Sequence, residues 1–334
     1  MKATFPEKTY FQGAISFERG ADYIRPWRLP YEEFALFEPE ESVPDKAGRA
    51  AGIRLRFQTN SPIVELEATC TQDTFPLIDL VAENQILATN GPVGNGEVFR
   101  FPGLDGELRT YELWLPVFSQ VRVRALRVAD GATLEPVADE RVRWLTYGSS
   151  ITHCRTSYSP ARAWPATAAR ELDLNLTCLG YGGNCHLEPM VARMIRDQAA
   201  DIITLKLGIN VYGSGSLNMR TFRHAVIGLV KLIREKHPET PIGLITPIYG
   251  CEREESPNGV GMTLENYREE LRGAYKALKS LCDAKLFLFE GTELFGEDEK
   301  QLLPDNLHPN GEGYELMGKR AAEKILPVLL DARA

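Results

Sequence analysis

Ser150, Asp305 and His308 have the types and the spacing of a nucleophile with its base. Ser150 lies in the glycine-flanked turn 148–152, where a short strand is predicted to end. Asp305 stands three residues before His308, in a loop that leads into the last predicted helix. A serine hydroxyl is a weak nucleophile until a base accepts its proton, and a nearby carboxylate can orient an imidazole and stabilise the imidazolium that forms. These residues therefore predict nucleophilic catalysis.

His308 is the predicted base among the five histidines of the chain. His237 stands at a charged helix end, where we expect it to be solvated. His224 lies within a predicted helix, where we expect it to be structural. His153 and His186 follow two of the glycine-rich loops, and we expect them to line the site. Only a residue that can be held close to the serine can accept its proton, and the Asp-x-x-His spacing favours His308.

Three donors in the second half of the chain can stabilise negative charge on a substrate oxygen. They are the backbone N–H of Ser150, the backbone N–H of Gly183 and the side-chain amide of Asn210. Each follows a different predicted strand. Losing one such donor typically costs about 3–4 kcal/mol of transition-state stabilisation. Glycine at position 183 allows the backbone to approach a ligand closely, so we expect these donors to form an oxyanion hole.

From about residue 141, short apolar segments alternate with segments of helical periodicity. The predicted strands cover residues 143–147, 174–179, 201–207, 242–246 and 285–289, and the predicted helices lie around 161–172, 187–199, 222–233, 264–281 and 313–330. This alternation predicts a parallel sheet covered on both faces. Because the loops at the carboxyl ends of parallel strands gather at one edge, the motifs above should meet there.

Up to about residue 140, apolar and polar residues alternate with a period of two. In the segment 53–58, for example, every second residue is apolar and Arg54 is expected on the polar face. Half-buried strands produce this pattern, and short strands with frequent turns favour a β-sandwich or jelly roll. We therefore predict a β-sandwich accessory domain at 1–138 and a catalytic domain at 139–334.

The motifs together resemble those of the SGNH (GDSL-type) hydrolase superfamily. The segment 148–152 is similar to the family's first block, with Ser150 at the nucleophile position. Gly183 and Asn210 match the second and third blocks, and 305–308 matches the Asp-x-x-His block. The resemblance covers about residues 141–331.

Two positions depart from the family's pattern. Ser149 stands where Asp is more frequent, but that Asp does not belong to the catalytic pair. Val211 follows Asn210 where Asp is common, which is expected to alter loop packing.

The resemblance implies a flavodoxin-like three-layer α/β/α sandwich with a five-stranded parallel sheet. The first half of the chain is similar to the jelly-roll-like sandwich of two-domain members, which include carbohydrate esterases and a few acyltransferases. The resemblance also implies two-step acyl transfer without a cofactor, through Ser150, His308 and Asp305.

We therefore expect a serine esterase that hydrolyses a small or short-chain acyl ester, with an acetylated carbohydrate as one candidate substrate. An acyltransferase that passes the acyl group to an acceptor other than water uses the same residues, so that alternative stays open. Tyr212 is expected to form part of the pocket wall.

Two other enzyme classes fit the sequence less well. An α/β-hydrolase needs Gly-x-Ser-x-Gly, and here Thr152 occupies the place of the last glycine. The pairs His153-Cys154 and Cys185-His186 contain zinc-ligand types, but adjacent side chains usually diverge. We therefore expect no metal.

A non-catalytic carbohydrate-binding protein is a third alternative. Trp27, Tyr31 or Trp114 can stack on sugars, although aromatic residues of this kind are more often packed in a core or an interface. Such a protein would not need a serine, an Asp-His pair and three donors together.

Charge and composition exclude several partners for the 334-residue chain. The net charge is −8 without a basic stripe, so no nucleic acid partner is expected. No segment approaches the roughly 18 apolar residues of a membrane span, and residues 1–13 lack a signal-type apolar run, so we expect a cytoplasmic protein. The six cysteines include no Cys-x-x-Cys pair, and we expect free thiols. The expected partner is a small-molecule ester, and assembly into a homo-oligomer stays open.

Overall fold

The N-terminal half of the chain folds as two antiparallel sheets packed face to face. The computed structural model describes residues 1–37, 39, 42–71 and 75–333. The strands of this half are β1 (Lys2–Thr4), β2 (Phe11–Gln12), β3 (Ser16–Arg19), β4 (Ile24–Trp27), β5 (Arg54–Thr59), β6 (Ile63–Thr71), β7 (Ile78–Ala82), β8 (Gln85–Asn90), β9 (Val98–Pro102), β10 (Arg109–Trp114), β11 (Gln120–Val128) and β12 (Leu134–Pro136). One sheet has the order β3-β4-β11-β6-β9 with β1 beside β11, and the other has the order β12-β5-β10-β7-β8 with β2 beside β5.

The alternating pattern turns one face of each sheet inward. In β5, Leu55 and Phe57 are fully buried in the core between the sheets, and the predicted β-sandwich is confirmed. Arg54 in the same strand is also fully buried, against expectation. The reason is that its guanidinium reaches the second half of the chain, where it donates to the Leu176 carbonyl at 3.0 Å and to Asp139 at 3.1 Å.

The second half of the chain contains the predicted five-stranded parallel sheet. Its strands are β13 (Arg143–Gly148), β14 (Asn175–Gly180), β15 (Ile202–Lys206), β16 (Ile242–Ile245) and β17 (Leu286–Phe289). They are hydrogen-bonded in the order β14-β13-β15-β16-β17, and every pair is parallel. All residues of β15 are buried, as expected for a central strand with both faces covered.

Helices cover both faces of this sheet and complete a three-layer α/β/α sandwich. Helix α1 (Val43–Ala47) belongs to the N-terminal half. The helices of the second half are α2 (Ser150–His153), α3 (Trp164–Glu171), α4 (Pro189–Asp197), α5 (Ile209–Ser214), α6 (Phe222–Arg234), α7 (Leu264–Lys279), α8 (Gly291–Leu294), α9 (Gly311–Lys324) and α10 (Leu326–Arg333). Short 3₁₀ turns lie at Lys8–Tyr10, Tyr31–Leu36, Pro160–Arg162, Cys251–Glu254 and Glu297–Leu302. Helix α3 packs on α9, and α6 packs on both α4 and α7. Within the described ranges, the helices are too short or too polar to cross a membrane.

The closing helix differs from the prediction because it is interrupted. We expected one helix over 313–330, but α9 ends at Lys324 and α10 begins at Leu326. Ile325 between them has φ −106° and ψ −58°, and this φ departs by about 40° from that of a regular helix. Pro327 explains the break, since proline has no N–H to donate and its ring clashes with the carbonyl four residues earlier.

The sandwich and the parallel sheet are joined through a short segment. Strand β12 ends at Pro136 and β13 begins at Arg143. The predicted boundary between residues 138 and 139 lies in this segment and stays a prediction.

A charged cluster is buried beside this segment. Asp139 contacts Arg54 at 3.1 Å and Arg141 at 2.6 Å, and Glu112 contacts Arg56 at 2.8 Å and also Arg141. Burial alone would raise the pKa of Asp139, but the hydrogen bond from Arg141 and the charges of the three arginines outweigh it and lower that pKa to about 2. The ionised carboxylate therefore stabilises the folded chain.

We predict that Asp139→Asn lowers the free energy of unfolding at pH 7 by about 2 kcal/mol, since one pKa unit corresponds to about 1.4 kcal/mol. The folded-state pKa lies below the ordinary value of 3.8. The stabilisation is therefore present above about pH 4 and is lost as pH falls towards about 2. Urea unfolding of both proteins at pH 7 and at about pH 2 measures the difference, which should be present at pH 7 and largely lost near the folded-state pKa.

The matched control is Asp130→Asn. The Asp130 side chain is 82% exposed and contacts only the N-terminal ammonium among the described residues, so little change is expected. An equal loss of stability in both variants would show that the buried cluster is not the cause.

Candidate active site

Ser150 begins a short helix directly after strand β13, at the carboxyl edge of the parallel sheet. Strand β13 ends at Gly148, and Ser149 caps α2 by accepting the N–H of Ile151 on its Oγ at 3.3 Å. The Ser149 departure from the family pattern therefore has a local structural role. In the described part of the chain the backbone N–H of Ser150 has no hydrogen-bond acceptor, as is usual for the first residue of a helix.

Two paired glycines allow α2 to lie against the strand ends. Gly148 of β13 is opposite Gly180 of β14 in the parallel register. A Cβ atom on Gly148 would lie 2.3 Å from Thr152 Oγ1, and one on Gly180 would lie 2.4 Å from the His153 backbone nitrogen. Any side chain at these positions would push the helix, and Ser150 with it, away from the sheet.

Ser150, His308 and Asp305 lie in one hydrogen-bonded row. Ser150 Oγ is 2.8 Å from His308 Nε2, and His308 Nδ1 is 2.7 Å from Asp305 Oδ2. Because a carboxylate only accepts, Nδ1 carries the proton, and Nε2 is left to accept the serine O–H. The geometry is that of a serine with an oriented base, in the arrangement that the sequence predicts.

Asp305 is held by the backbone of its own loop. Its Oδ1 accepts the N–H of Leu307 at 3.1 Å and the N–H of His308 at 2.6 Å. Partial burial would raise the pKa of Asp305, but these hydrogen bonds and the bond to the imidazole lower it. The carboxylate is therefore ionised at neutral pH, although 55% of its side chain is exposed to water.

The loop after β14 passes alongside Ser150. A Cβ atom on Gly182 would lie 3.8 Å from Ser150 Cβ. The next residue, Gly183, has φ +74°, a value that favours glycine, and its N–H has no hydrogen-bond acceptor among the described residues. Asn210, the second residue of α5, donates one amide hydrogen to the Asn184 carbonyl of this loop, which leaves its other amide hydrogen for a ligand. The oxyanion hole itself stays a prediction.

His153 supports this loop by a hydrogen bond from the protein interior and does not line the surface of the site. It is almost fully buried. Its Nδ1 accepts the Gly182 N–H at 3.2 Å, and its Nε2 donates to the Val117 carbonyl of the β-sandwich at 2.9 Å. Burial and the neighbouring positive charges of Arg28 and Arg49 hold the pKa of His153 well below its usual range, so the ring is neutral. Its position directly after the serine turn was the sequence signal for this role.

The other three histidines do not contact Ser150. His186 lies at the rim of the loop, where its Nε2 is 3.1 Å from the Gly183 carbonyl and its Nδ1 is 2.8 Å from Ser216 Oγ. His224 is exposed and His237 is buried, the reverse of what we expected. The helical period places His224 on the solvent-facing side of α6. His237 follows the C-terminal end of that helix and is covered by the protein there.

Tyr212 packs inside the protein close to Asn210. Only 9% of it is exposed, and its hydroxyl donates to the Ser256 carbonyl at 3.0 Å. Its own carbonyl accepts from Asn258 at 2.9 Å. Tyr212 therefore joins the helix after β15 to the long loop after β16, and its contribution to a pocket wall stays a prediction.

The two Cys-His pairs do not come together as a metal site. Burial raises the pKa of the Cys154 and Cys185 thiols. Across the residues with described positions, no three His, Cys, Asp or Glu side chains are grouped closely enough to hold an ion.

Lys206 is a feature of the site that we did not anticipate. It is opposite Gly148 in the sheet, and its buried ammonium has no hydrogen-bond partner among the described residues. Burial lowers its pKa to about 8. A lysine within a mostly apolar predicted strand was the available sequence signal.

A family comparison places these motifs in a known group. The model of the GDSL-like lipase/acylhydrolase family matches residues 142–329, more than half of the chain. The chain belongs to this family. The N-terminal domain model of SsfX3 matches residues 9–124 of this GDSL-like family member. No curated protein sequence shows significant similarity to this chain.

Solved structures resemble the GDSL-like chain over nearly its whole length. The salicylyl-acyltransferase SsfX3 from a tetracycline biosynthetic pathway is 29% identical with a TM-score of 0.90, covering 98% of this chain and 97% of that one. A protein assigned as a GDSL-like lipase from Bacteroides ovatus is 20% identical with a TM-score of 0.77, covering 99% and 98%. A family two carbohydrate esterase from Clostridium thermocellum is 14% identical with a TM-score of 0.67, covering 96% and 98%. The last two likenesses show the fold alone.

We predict that Gly180→Ala lowers the turnover of an ester substrate by about 100-fold, because a displacement near 1 Å at a reacting group can cost that much. The added methyl would meet the backbone of Thr152 and His153, which cannot move without shifting α2. Initial rates on a short p-nitrophenyl ester measure the effect.

Gly228→Ala is the matched control. Gly228 lies within α6, and an added Cβ atom there would meet nothing within 4 Å, so full activity is expected. Wild-type turnover in folded Gly180→Ala would contradict the steric argument.

Proposed function

We propose that this protein is a serine esterase that hydrolyses a small or short-chain acyl ester through an acyl-enzyme. The observation that carries the proposal is the row Ser150 Oγ to His308 Nε2 at 2.8 Å and His308 Nδ1 to Asp305 Oδ2 at 2.7 Å. This geometry supports general-base activation of a serine.

In the first step, Ser150 Oγ attacks the ester carbonyl while its proton passes to His308 Nε2. The imidazolium then gives this proton to the departing alcohol as the carbon–oxygen bond breaks, which leaves the acyl group on Ser150. In the second step, His308 takes a proton from water while the water oxygen attacks the acyl carbon. The bond between this carbon and Ser150 Oγ then breaks, and the imidazolium returns its proton to Ser150 Oγ. The released acid and the restored serine balance the reaction, and no cofactor is needed.

The tetrahedral oxyanion would be stabilised by the N–H groups of Ser150 and Gly183 and by the remaining amide hydrogen of Asn210. Two of these are backbone donors without a partner among the described residues. Such donors cost no reorganisation when charge develops, because the backbone already holds them in place.

An acetylated carbohydrate is the substrate class that we favour within short acyl esters. Its support is the shared fold of the family two carbohydrate esterases and the preceding β-sandwich. This support is architectural, so the substrate panel below includes simple esters as well.

Acyl transfer to an alcohol or phenol acceptor is the second candidate function. Its support is the 29% identity to a salicylyl-acyltransferase over 98% of this chain. Both functions share the acyl-enzyme and differ only in the nucleophile that releases it.

We predict that Ser150→Ala and His308→Ala each lower hydrolysis of p-nitrophenyl acetate by at least about 10⁴-fold, since removal of either group from such a unit costs nearly all of its catalysis. Asp305→Ala is expected to lower the rate less, by about 10²-fold, because water around this half-exposed carboxylate already weakens its electrostatic interaction with the imidazole of His308.

Asp298→Ala is the control for Asp305, since Asp298 is an exposed carboxylate in the turn just before it. Its turnover should equal that of the wild type. Full activity in folded Ser150→Ala would reject the mechanism.

We predict equal molar release of p-nitrophenol and acetic acid when p-nitrophenyl acetate is mixed with sugar, glycerol or phenol acceptors, because an esterase delivers its acyl group to water. Release rates should fall as the acyl chain is lengthened from acetyl to decanoyl. A deficit of acid matched by a new acceptor ester, identified by mass spectrometry, would instead establish the acyltransferase.

A further inference from the structure

A buried arginine of the β-sandwich holds the end of strand β14. Arg28 follows β4 and is fully buried. Its guanidinium donates to the carbonyls of Cys178 at 3.0 Å and Gly180 at 2.7 Å, both in β14. It also donates to the carbonyls of Arg49 at 2.7 Å and Lys46 in its own half of the chain.

Arg28 is charged but contacts no carboxylate among the described residues. A buried charge without such a partner is costly unless its hydrogens are satisfied. Here four backbone carbonyls accept four of its five N–H hydrogens, and backbone groups cannot rotate away as side chains can. The planar guanidinium therefore fixes the position of the β14 carbonyls relative to the sandwich.

The same residue is tied to the loop that follows. The Tyr181 hydroxyl donates to the Arg28 carbonyl at 2.5 Å, and the guanidinium lies 5.1 Å from the centre of the Tyr181 ring. Tyr181 directly precedes Gly182 and Gly183. The sandwich thus holds the two residues that lead into the loop beside Ser150.

A second support reaches this loop from the sandwich. The Val117 carbonyl fixes His153, and His153 accepts the Gly182 N–H. These contacts hold the loop at Tyr181 and Gly182 before the chain reaches Gly183, whose own N–H is left without a partner among the described residues.

We propose that Arg28 is a positioning residue for acyl transfer, which holds the Gly183 N–H where the oxyanion develops. The inference rests on the proposed function, because it assumes that Ser150 forms an acyl-enzyme. Arg28 does not touch the substrate. It acts through Gly180 and Tyr181, so its loss should slow the chemical step while leaving substrate binding nearly unchanged.

Arg54 of β5 is a matched control, because it donates to the same strand, β14. It is also a fully buried arginine of the sandwich, and it donates to the Leu176 carbonyl at 3.0 Å and to Asn175 Oδ1 at 2.8 Å. These are at the amino end of β14, about 13 Å from Gly180 at about 3.3 Å per residue. Arg54 therefore joins the same two halves of the chain without reaching the loop.

The experiment compares Arg28→Lys with Arg54→Lys in the full chain. Lysine keeps the charge but lacks the planar set of donors. Three quantities are measured: the rate of covalent labelling by a fluorophosphonate, kcat and KM for p-nitrophenyl acetate, and the melting temperature. Phosphonylation of a serine also needs the oxyanion donors, so labelling reports on the loop without knowledge of the natural substrate.

We predict that Arg28→Lys lowers both kcat and the labelling rate by about 10- to 100-fold, with KM within about twofold of the wild type, as for a weakened oxyanion donor. Arg54→Lys should lower the melting temperature while the labelling rate and kcat stay within about twofold. Tyr181→Phe, which retains Arg28 and the ring, should slow labelling by about three- to tenfold.

Unchanged labelling and kcat in folded Arg28→Lys would overturn the inference. An equal loss of kcat in Arg54→Lys would do so as well, since it would indicate general support of the domain contact. If Arg28→Lys does not fold, unchanged labelling of Tyr181→Phe overturns it. Labelling of the wild type that does not depend on Ser150, tested with Ser150→Ala, would instead reject the proposed function.

Discussion

The candidate site depends on one hydrogen bond between segments that are 158 residues apart, from Ser150 to His308. It can form because β13 ends, and the loop before α9 begins, at the same edge of the parallel sheet. The Thr156 hydroxyl donates to the Pro309 carbonyl at 2.8 Å and ties these two segments together behind the serine. Asn310 then caps α9, so His308 lies directly before a helix start rather than in a free loop.

The second constraint is that the β-sandwich and the α/β layers share buried contacts. Arg28 and Arg54 donate to opposite ends of β14, and Trp27 and Trp114 of the sandwich belong to the same apolar cluster as the parallel sheet. Trp27 and Trp114, which were candidates for stacking on sugars, are thus packed in this cluster, whereas Tyr31 is partly exposed. A buried polar and apolar contact of this kind resists relative motion of the two halves, and the loop that carries the proposed oxyanion donor Gly183 is held by it.

Much of this arrangement could be predicted because it follows from local patterns. Alternation with a period of two gave the sandwich strands, and the strand–helix alternation gave the parallel sheet and hence the common edge for Ser150 and His308. The failures share a cause. Arg54 becomes buried because the carbonyl of Leu176, 122 residues away in sequence, accepts its hydrogen bond. His237 becomes buried because the packing around the end of α6 covers it, and a local pattern records neither contact.

The sequence by itself determined the two fold classes, the family motifs and the residues able to act as nucleophile, base and orienting carboxylate. Periodicity and short spacings such as Asp305 to His308 contain this information directly. Only the tertiary structure decided that His153 is buried and accepts the Gly182 N–H, and that Gly148 and Gly180 are paired beneath α2. It also decided that Arg28 donates to the end of the strand that leads to Gly183. Those roles arise from close packing between segments remote in sequence, where a contact of about 3 Å depends on the whole fold.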